Sequence, residues 1–192
     1  MAIVVVGGST KDIGKTALVC AIIADLRDFD WTAVKITAHD YIADSAQQAS
    51  ASLAVREETS ADGETDTSRY LAAGARRALL VTRQDGRIPV AEIRRALGAD
   101  RNVIYESNRI VGAVDPDVCL ALLGGSPAEW KPSFVRCFEK ADALVSFRAI
   151  EIEAAKLRVE IPRFALQSPN RLTPEMVDWL RSRLSPSRMR GT

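Results

Sequence analysis

The chain reads as an α/β domain, a doubly wound and mainly parallel sheet with helices on both faces. Short apolar runs rich in Val, Ile and Leu alternate with segments whose apolar residues recur at helical spacing. Those runs are nearly continuous in apolar character, as strands covered on both faces are. The chain also opens on strand, glycine-bearing loop and helix in direct succession across residues 2–18.

Taken in order, residues 2–6 are the first strand, and Leu18, Val19, Ile22, Ile23 and Leu26 mark a helix of about three turns packed on the sheet. Asp28-Phe29-Asp30 ends it, and residues 31–36 form the second strand of a right-handed β-α-β unit. Periodicity then fails over residues 37–66, where some helix is expected at 43–53 and a flexible tip at 57–64. Asp66 suits an N-cap for a helix over 67–73 closed by Gly74. Arg77–Thr82 is the third strand; Asp85-Gly86 turns the chain; Val90, Ile93 and Leu97 mark a helix opened near Pro89. Asn102–Glu106 is the fourth strand, and residues 118–123 the next, ending at Gly124-Gly125. Phe134, Cys137, Phe138 and Ala141 share a helical face, followed by strands at 143–147 and 161–166. Thr173-Pro174-Glu175 opens a last helix carrying Val177, Leu180 and Leu184 inward. Residues 1–184 are thus expected to be one domain, with residues 185–192, including Arg188 and Arg190, a frayed basic tail.

The opening segment carries chemistry. Gly14-Lys15-Thr16, placed between a buried strand and a helix, has the context of a Walker A loop, the P-loop of nucleoside triphosphatases. Residues Gly8, Ser9, Thr10, Lys11, Asp12, Ile13, Gly14, Lys15, Thr16 and Ala17 are the expected nucleotide-binding set. Their N–H groups and the positive end of the helix dipole would face phosphate. Lys15 would reach the β- and γ-phosphates and the Thr16 hydroxyl would ligate Mg²⁺. The motif asks for glycine five residues before Gly14, where this chain has Ser9, and Gly7 and Gly8 would let the loop turn at a shifted point. Lys11 either complements developing negative charge or points to solvent.

Ligands in such sheets gather at the carboxyl ends of the strands. Glu106 ends its strand as a Walker B acid does, and is a candidate to hold Mg²⁺ or orient an attacking water. Lys35, within an apolar strand, needs an anionic partner such as a phosphate or Glu106 unless it reaches water at the strand end. His39 and Asp40 follow; Asp40 is the better metal candidate as a hard oxygen donor, and a plain loop role stays open for both. Asp66 and Arg69 read alone as a cap with an exposed ion pair. Asn108 and Gln167 are further candidates for a substrate pocket, and Gln167-Ser-Pro-Asn170, ending the last strand, is also placed where a nucleotide base could be read. The guanine-reading Asn-Lys-x-Asp pattern does not follow Phe147, where the chain runs Arg148-Ala-Ile-Glu151. ATP is therefore the expected nucleotide, with GTP left open.

A formal charge of +1 provides no whole-chain field toward nucleic acid or membranes, and no apolar run approaches the span of a bilayer. Cys20, Cys119 and Cys137 are odd in number, far apart and in apolar contexts, which fits core thiols in a reducing cytoplasm. No signal peptide is expected, since Met1 leads straight into a strand.

Three blocks together resemble MobB, the molybdopterin-guanine dinucleotide biosynthesis protein B family, of the class that includes dethiobiotin synthetase and ParA-type ATPases. They are the amino-terminal loop and helix, Val34-Lys35-Ile36-Thr-Ala-His39-Asp40, and Asp66-Thr67-Ser68-Arg69-Tyr-Leu-Ala-Ala73-Gly74-Ala75. The likeness covers residues 1–110; Ser9, a lone His39 and Ser107 after Glu106 depart from the pattern. The resemblance implies Lys15 and Thr16 at phosphate and metal, Glu106 as catalytic acid, and Lys35, His39, Asp66 and Arg69 lining the pocket. It also implies a homodimer paired across the nucleotide face. The expected function is Mg²⁺-dependent binding and hydrolysis of nucleoside triphosphate, coupled to a cofactor or a partner protein. The alternatives are a small-molecule kinase or ATP-dependent ligase resembling dethiobiotin synthetase, and a nucleotide switch with degenerate catalysis.

Overall fold

The structure, a computed structural model, describes residues 1–37, 55–82, 87–147 and 160–184. Its strands are β1 (Ala2–Gly8), β2 (Thr32–Thr37), β3 (Val55–Glu57), β4 (Arg77–Thr82), β5 (Asn102–Glu106), β6 (Val118–Leu122), β7 (Ala143–Ser146) and β8 (Arg163–Ala165). The helices are α1 (Lys15–Asp25), α2 (Asp66–Ala73), α3 (Val90–Leu97), α4 (Pro132–Glu139) and α5 (Pro174–Leu184). Among the described residues these eight strands join one sheet in the order β3-β4-β2-β5-β1-β6-β7-β8. Every pairing is parallel except β3 with β4.

Side-chain alternation along the strands builds two cores, one on each face. Val4, Val6, Ala33, Ile104 and Leu120 pack with Leu18 and Ile22 of α1, Tyr70 of α2, and Met176 and Leu180 of α5. Val5, Val34, Tyr105 and Cys119 pack with Ile93 and Leu97 of α3 and with Phe134, Cys137 and Phe138 of α4. This is the doubly wound α/β sheet expected from the alternation of elements. The chain leaves β1 for α1 on the first face, whereas after β5 and β6 it passes to Ile110, Val111 and Phe134 on the second. Strands that diverge in this way open a crevice at their carboxyl ends, and β1 lies between β5 and β6 at that point.

Several expectations need correction. Residues 55–57, read as part of a weakly structured stretch without periodicity, form the antiparallel edge strand β3; three residues are too few for any period to show. Residues 57–64 also carry local hydrogen bonds to their own carboxylates. Glu58 accepts from the N–H of Thr59 and Ser60 and from the hydroxyls of Thr65 and Thr67, and Asp62 accepts from the N–H of Glu64. The cap of α2 is Thr65, not Asp66: its hydroxyl accepts from the Ser68 N–H while the Ser68 hydroxyl accepts from the Thr65 N–H. That reciprocal box leaves the Asp66 carboxylate free for other work. In α5 the fully buried residues include Met176, with Val177 only partly covered. The expected helix at 43–53, the turn at Asp85-Gly86, the stretch 148–159 and the tail 185–192 lie outside the described residues. Among the described residues no helix is long and apolar enough to cross a membrane. Cys119 and Cys137 are free thiols in the second core, with sulfurs 3.6 Å apart.

Candidate functional site

The loop between β1 and α1 is held from behind. Ser9 is wholly buried, and its hydroxyl donates to the Gly124 carbonyl at 2.7 Å and accepts from the Gly124 N–H at 3.0 Å. Its backbone N–H donates to Leu122 and its carbonyl accepts from the Lys131 N–H. Ser9 does not share the positive φ found at Asp12 (56°) and Gly14 (99°), so this position makes no demand for glycine. The departure from the Walker pattern is therefore a side chain turned into the protein and satisfied there. The turn falls instead at Gly14, whose left-handed backbone and contact with the Phe147 ring leave no room for a Cβ.

Gly14 also starts α1, and no side chain caps it. The first intrahelical bond runs from the Leu18 N–H to the Gly14 carbonyl, so the N–H groups of Lys15, Thr16 and Ala17 precede it. Uncapped donors at a helix N-terminus form an anion site. The Lys15 stem folds across Gly8, where a Cβ would come within 2.9 Å of it. Its ammonium makes no hydrogen bond or ion pair among the described residues. Burial above all, opposed by Glu106 and aided by Lys35 and Lys131, holds the Lys15 pKa below the usual lysine range. A sheltered cation with no paired anion among the described residues is costly. Lys11 and Asp12 are solvent-exposed at the tip, while Thr10 and Ile13 are partly covered.

Beside the loop, one carboxylate gathers four elements. Glu106 is 2% exposed and directly opposite Lys35 in the parallel register of β2 and β5. Both follow the alternation that sends Ala33 and Ile104 toward α1 and α2, so they meet on that face. Glu106 Oε1 accepts from the Lys35 ammonium, and Oε2 accepts from the Tyr70 phenol and, at 2.8 Å, from the Thr16 hydroxyl. Lys35 Nζ also lies 2.8 Å from Asp66 Oδ2 and 3.5 Å from Thr16 Oγ1. Burial works against the Lys35 charge, but Glu106 and Asp66 outweigh it and raise its pKa above the ordinary lysine value. The same pairing outweighs burial at Asp66 and holds its carboxyl below the usual aspartate value. Burial, reinforced by Glu106, pushes the Tyr70 phenol far up, so Tyr70 remains a donor.

The Thr16 hydroxyl and the carboxylates of Glu106 and Asp66 are hard oxygen donors at one spot, next to the uncapped start of α1. Mg²⁺ usually takes one or two protein carboxylates and completes its shell with water and phosphate, so this donor set fits it. Among the described residues no group of three or more His, Cys, Asp and Glu side chains could hold a metal by itself.

The structure thus brings Lys15, Thr16, Lys35, Asp66 and Glu106 together. Arg69 is exposed at the rim, 3.9 Å from Asp66. Asn108, expected in a substrate pocket, has its amide on the backbone of β1: it accepts from the Gly8 N–H at 2.7 Å and donates to the Gly8 carbonyl at 3.0 Å. Gln167 is exposed beyond β8, which is separated from β1 by β6 and β7. His39 and Asp40 lie outside the described residues. Sequence reasoning missed Tyr70 and Lys131. Tyr70 sits one turn beyond Asp66 on the inward face of α2, a placement the helical period could have shown. Lys131 is brought to the loop by its backbone bond to Ser9, which no local pattern reveals.

No protein-family model and no curated protein matches the chain. Among solved structures, LpxK from Aquifex aeolicus, in complex with ATP, superposes with a TM-score of 0.49 at 17% sequence identity. The match covers 86% of this chain and 53% of that one, so this chain spans about half the length of that protein. A likeness of this grade is one of sheet and helix arrangement and says nothing of activity.

Proposed function

We propose that this protein is a Mg²⁺-dependent P-loop enzyme that binds ATP and moves its terminal phosphoryl group, with water as the first acceptor to be tested. The observation that carries the reading is the sheltered Lys15 ammonium, which among the described residues has no hydrogen-bond or ion-pair partner, beside the uncapped N–H groups that start α1. Gly8 through Ala17 would wrap the polyphosphate. Mg²⁺, held by Thr16 and Glu106, would neutralise charge on the phosphate oxygens. Glu106, held in place by its three donors, is suited to orient an attacking hydroxyl. Lys35 and Asp66 supply a cation and an anion beside the transferred group. The resemblance to MobB supports a cytoplasmic nucleotide hydrolase working as a homodimer within residues 1–184, coupled to a cofactor or partner protein.

Calorimetric titration with ATP and Mg²⁺, followed by phosphate release, tests this. Binding with slow release of phosphate, accelerated by a partner or by dimerisation, is the expected outcome. ADP formation without free phosphate in the presence of a metabolite would favour the kinase or ligase alternative. Absence of any nucleotide binding would overturn the proposal.

A further inference from the structure

We infer that the Lys35 ammonium and the divalent cation compete for one set of oxygens, those of Thr16, Glu106 and Asp66, so that metal entry expels Lys35. The inference rests on the nucleotide-site reading above and concerns how that site is loaded. Three elements converge on the Lys35 nitrogen: Glu106 of β5, Asp66 of α2 and, at longer range, Thr16 of α1. An ammonium in hydrogen-bond contact with these atoms stands where a hard cation would draw its ligands, about 2.1 Å from each oxygen. Two cations cannot share that volume, because they would repel across a separation of a few ångströms in a partly desolvated site.

The supports on either side differ in stiffness. Glu106 is fixed from behind by the buried Tyr70 phenol and by Thr16, contacts that do not involve Lys35. Asp66 is on the first turn of a helix whose capping is supplied by Thr65 and Ser68. Lys35, by contrast, has a flexible four-carbon stem and a side chain 18% exposed, so it is the member able to leave. Without metal, Lys35 neutralises the two carboxylates and keeps the oxygens together. With metal, the released ammonium lies next to Lys15, on the side where phosphate is expected, and exchanges carboxylate for phosphate.

The test uses Mn²⁺ alone, read by electron paramagnetic resonance, with the wild type, Lys35→Met and Lys131→Met and no nucleotide present. Lys35→Met keeps the stem and removes the competitor, so its Mn²⁺ affinity is expected to rise by about tenfold or more. Lys131→Met removes a neighbouring cation outside the oxygen set, and its affinity should change by less than about threefold. Equal rises in both variants, or no rise in Lys35→Met, would overturn the inference. A second readout works on the wild type even if Lys35→Met fails to fold: acetylation of Lys35 by acetic anhydride, followed by peptide mass spectrometry. Labelling should increase when Mn²⁺ is added, and unchanged labelling at saturating Mn²⁺ overturns the exchange. ADP affinity measured on the same preparations stands apart: ADP binding without exchange sinks only this inference, whereas absence of ADP binding sinks the nucleotide reading.

Discussion

Replacing Lys15 with alanine separates a ligand-binding role from a structural one. A unit charge about 4 Å from a phosphate oxygen, at an effective dielectric of about 20, is attracted by about 4 kcal/mol. Lys35 and Lys131 remain nearby and carry part of that load. A loss of about 2–4 kcal/mol is therefore expected, equivalent to ATP binding weaker by about 30- to 1000-fold. The fold should barely notice. The Lys15 ammonium makes no ion pair among the described residues, and its stem contributes contact with Gly8 worth about 1 kcal/mol. Removing a sheltered, unpaired charge works in the opposite direction. Net stability should then stay within about 1 kcal/mol of the wild type. Isothermal titration with ATP and Mg²⁺, paired with chemical denaturation of the ligand-free protein, measures both quantities. ATP affinity within about threefold of wild type would refute the phosphate assignment. Destabilisation beyond about 3 kcal/mol would show that the lysine serves the fold.

Glu106→Gln should lower turnover by about two orders of magnitude while largely preserving ATP binding. It should also cost about 2 kcal/mol of stability, because among the described residues Lys35 is left with one carboxylate, Asp66; unaltered turnover in a folded variant would move the acid elsewhere. Ser9→Gly, which restores the Walker consensus, should destabilise the protein by about 1–3 kcal/mol, since it strips partners from both backbone groups of Gly124. A neutral or stabilising result in denaturation would show that the Ser9–Gly124 clamp is without consequence. Asp66 has a folded pKa below its ordinary value, so the stability it contributes is present above about pH 4 and is lost as pH falls through the depressed value. The difference in melting temperature between wild type and Asp66→Asn should accordingly be largest near neutral pH and shrink toward about pH 3; a constant difference would contradict the Lys35–Asp66 pairing.

The sequence by itself determined most of the elements and the strand–loop–helix opening, because these are local. Val90, Ile93 and Leu97 place α3 within its observed bounds, and the strands at Arg77–Thr82 and Asn102–Glu106 lie where their apolar runs put them. Gly14-Lys15-Thr16 was legible because a helix N-terminus following a buried strand is a matter of adjacent residues. The sequence also marked Lys35 as a lysine in need of an anion. Which anion it meets, only the tertiary structure decided: the β2–β5 register sets Lys35 opposite Glu106 across 71 positions of chain, and register is a property of pairing between strands. The same holds for Tyr70 beneath Glu106, for Ser9 against Gly124 and for Lys131 at the loop. Each is a contact between residues remote in the chain, fixed by how helices lie on a twisted sheet, and no short-range pattern encodes it.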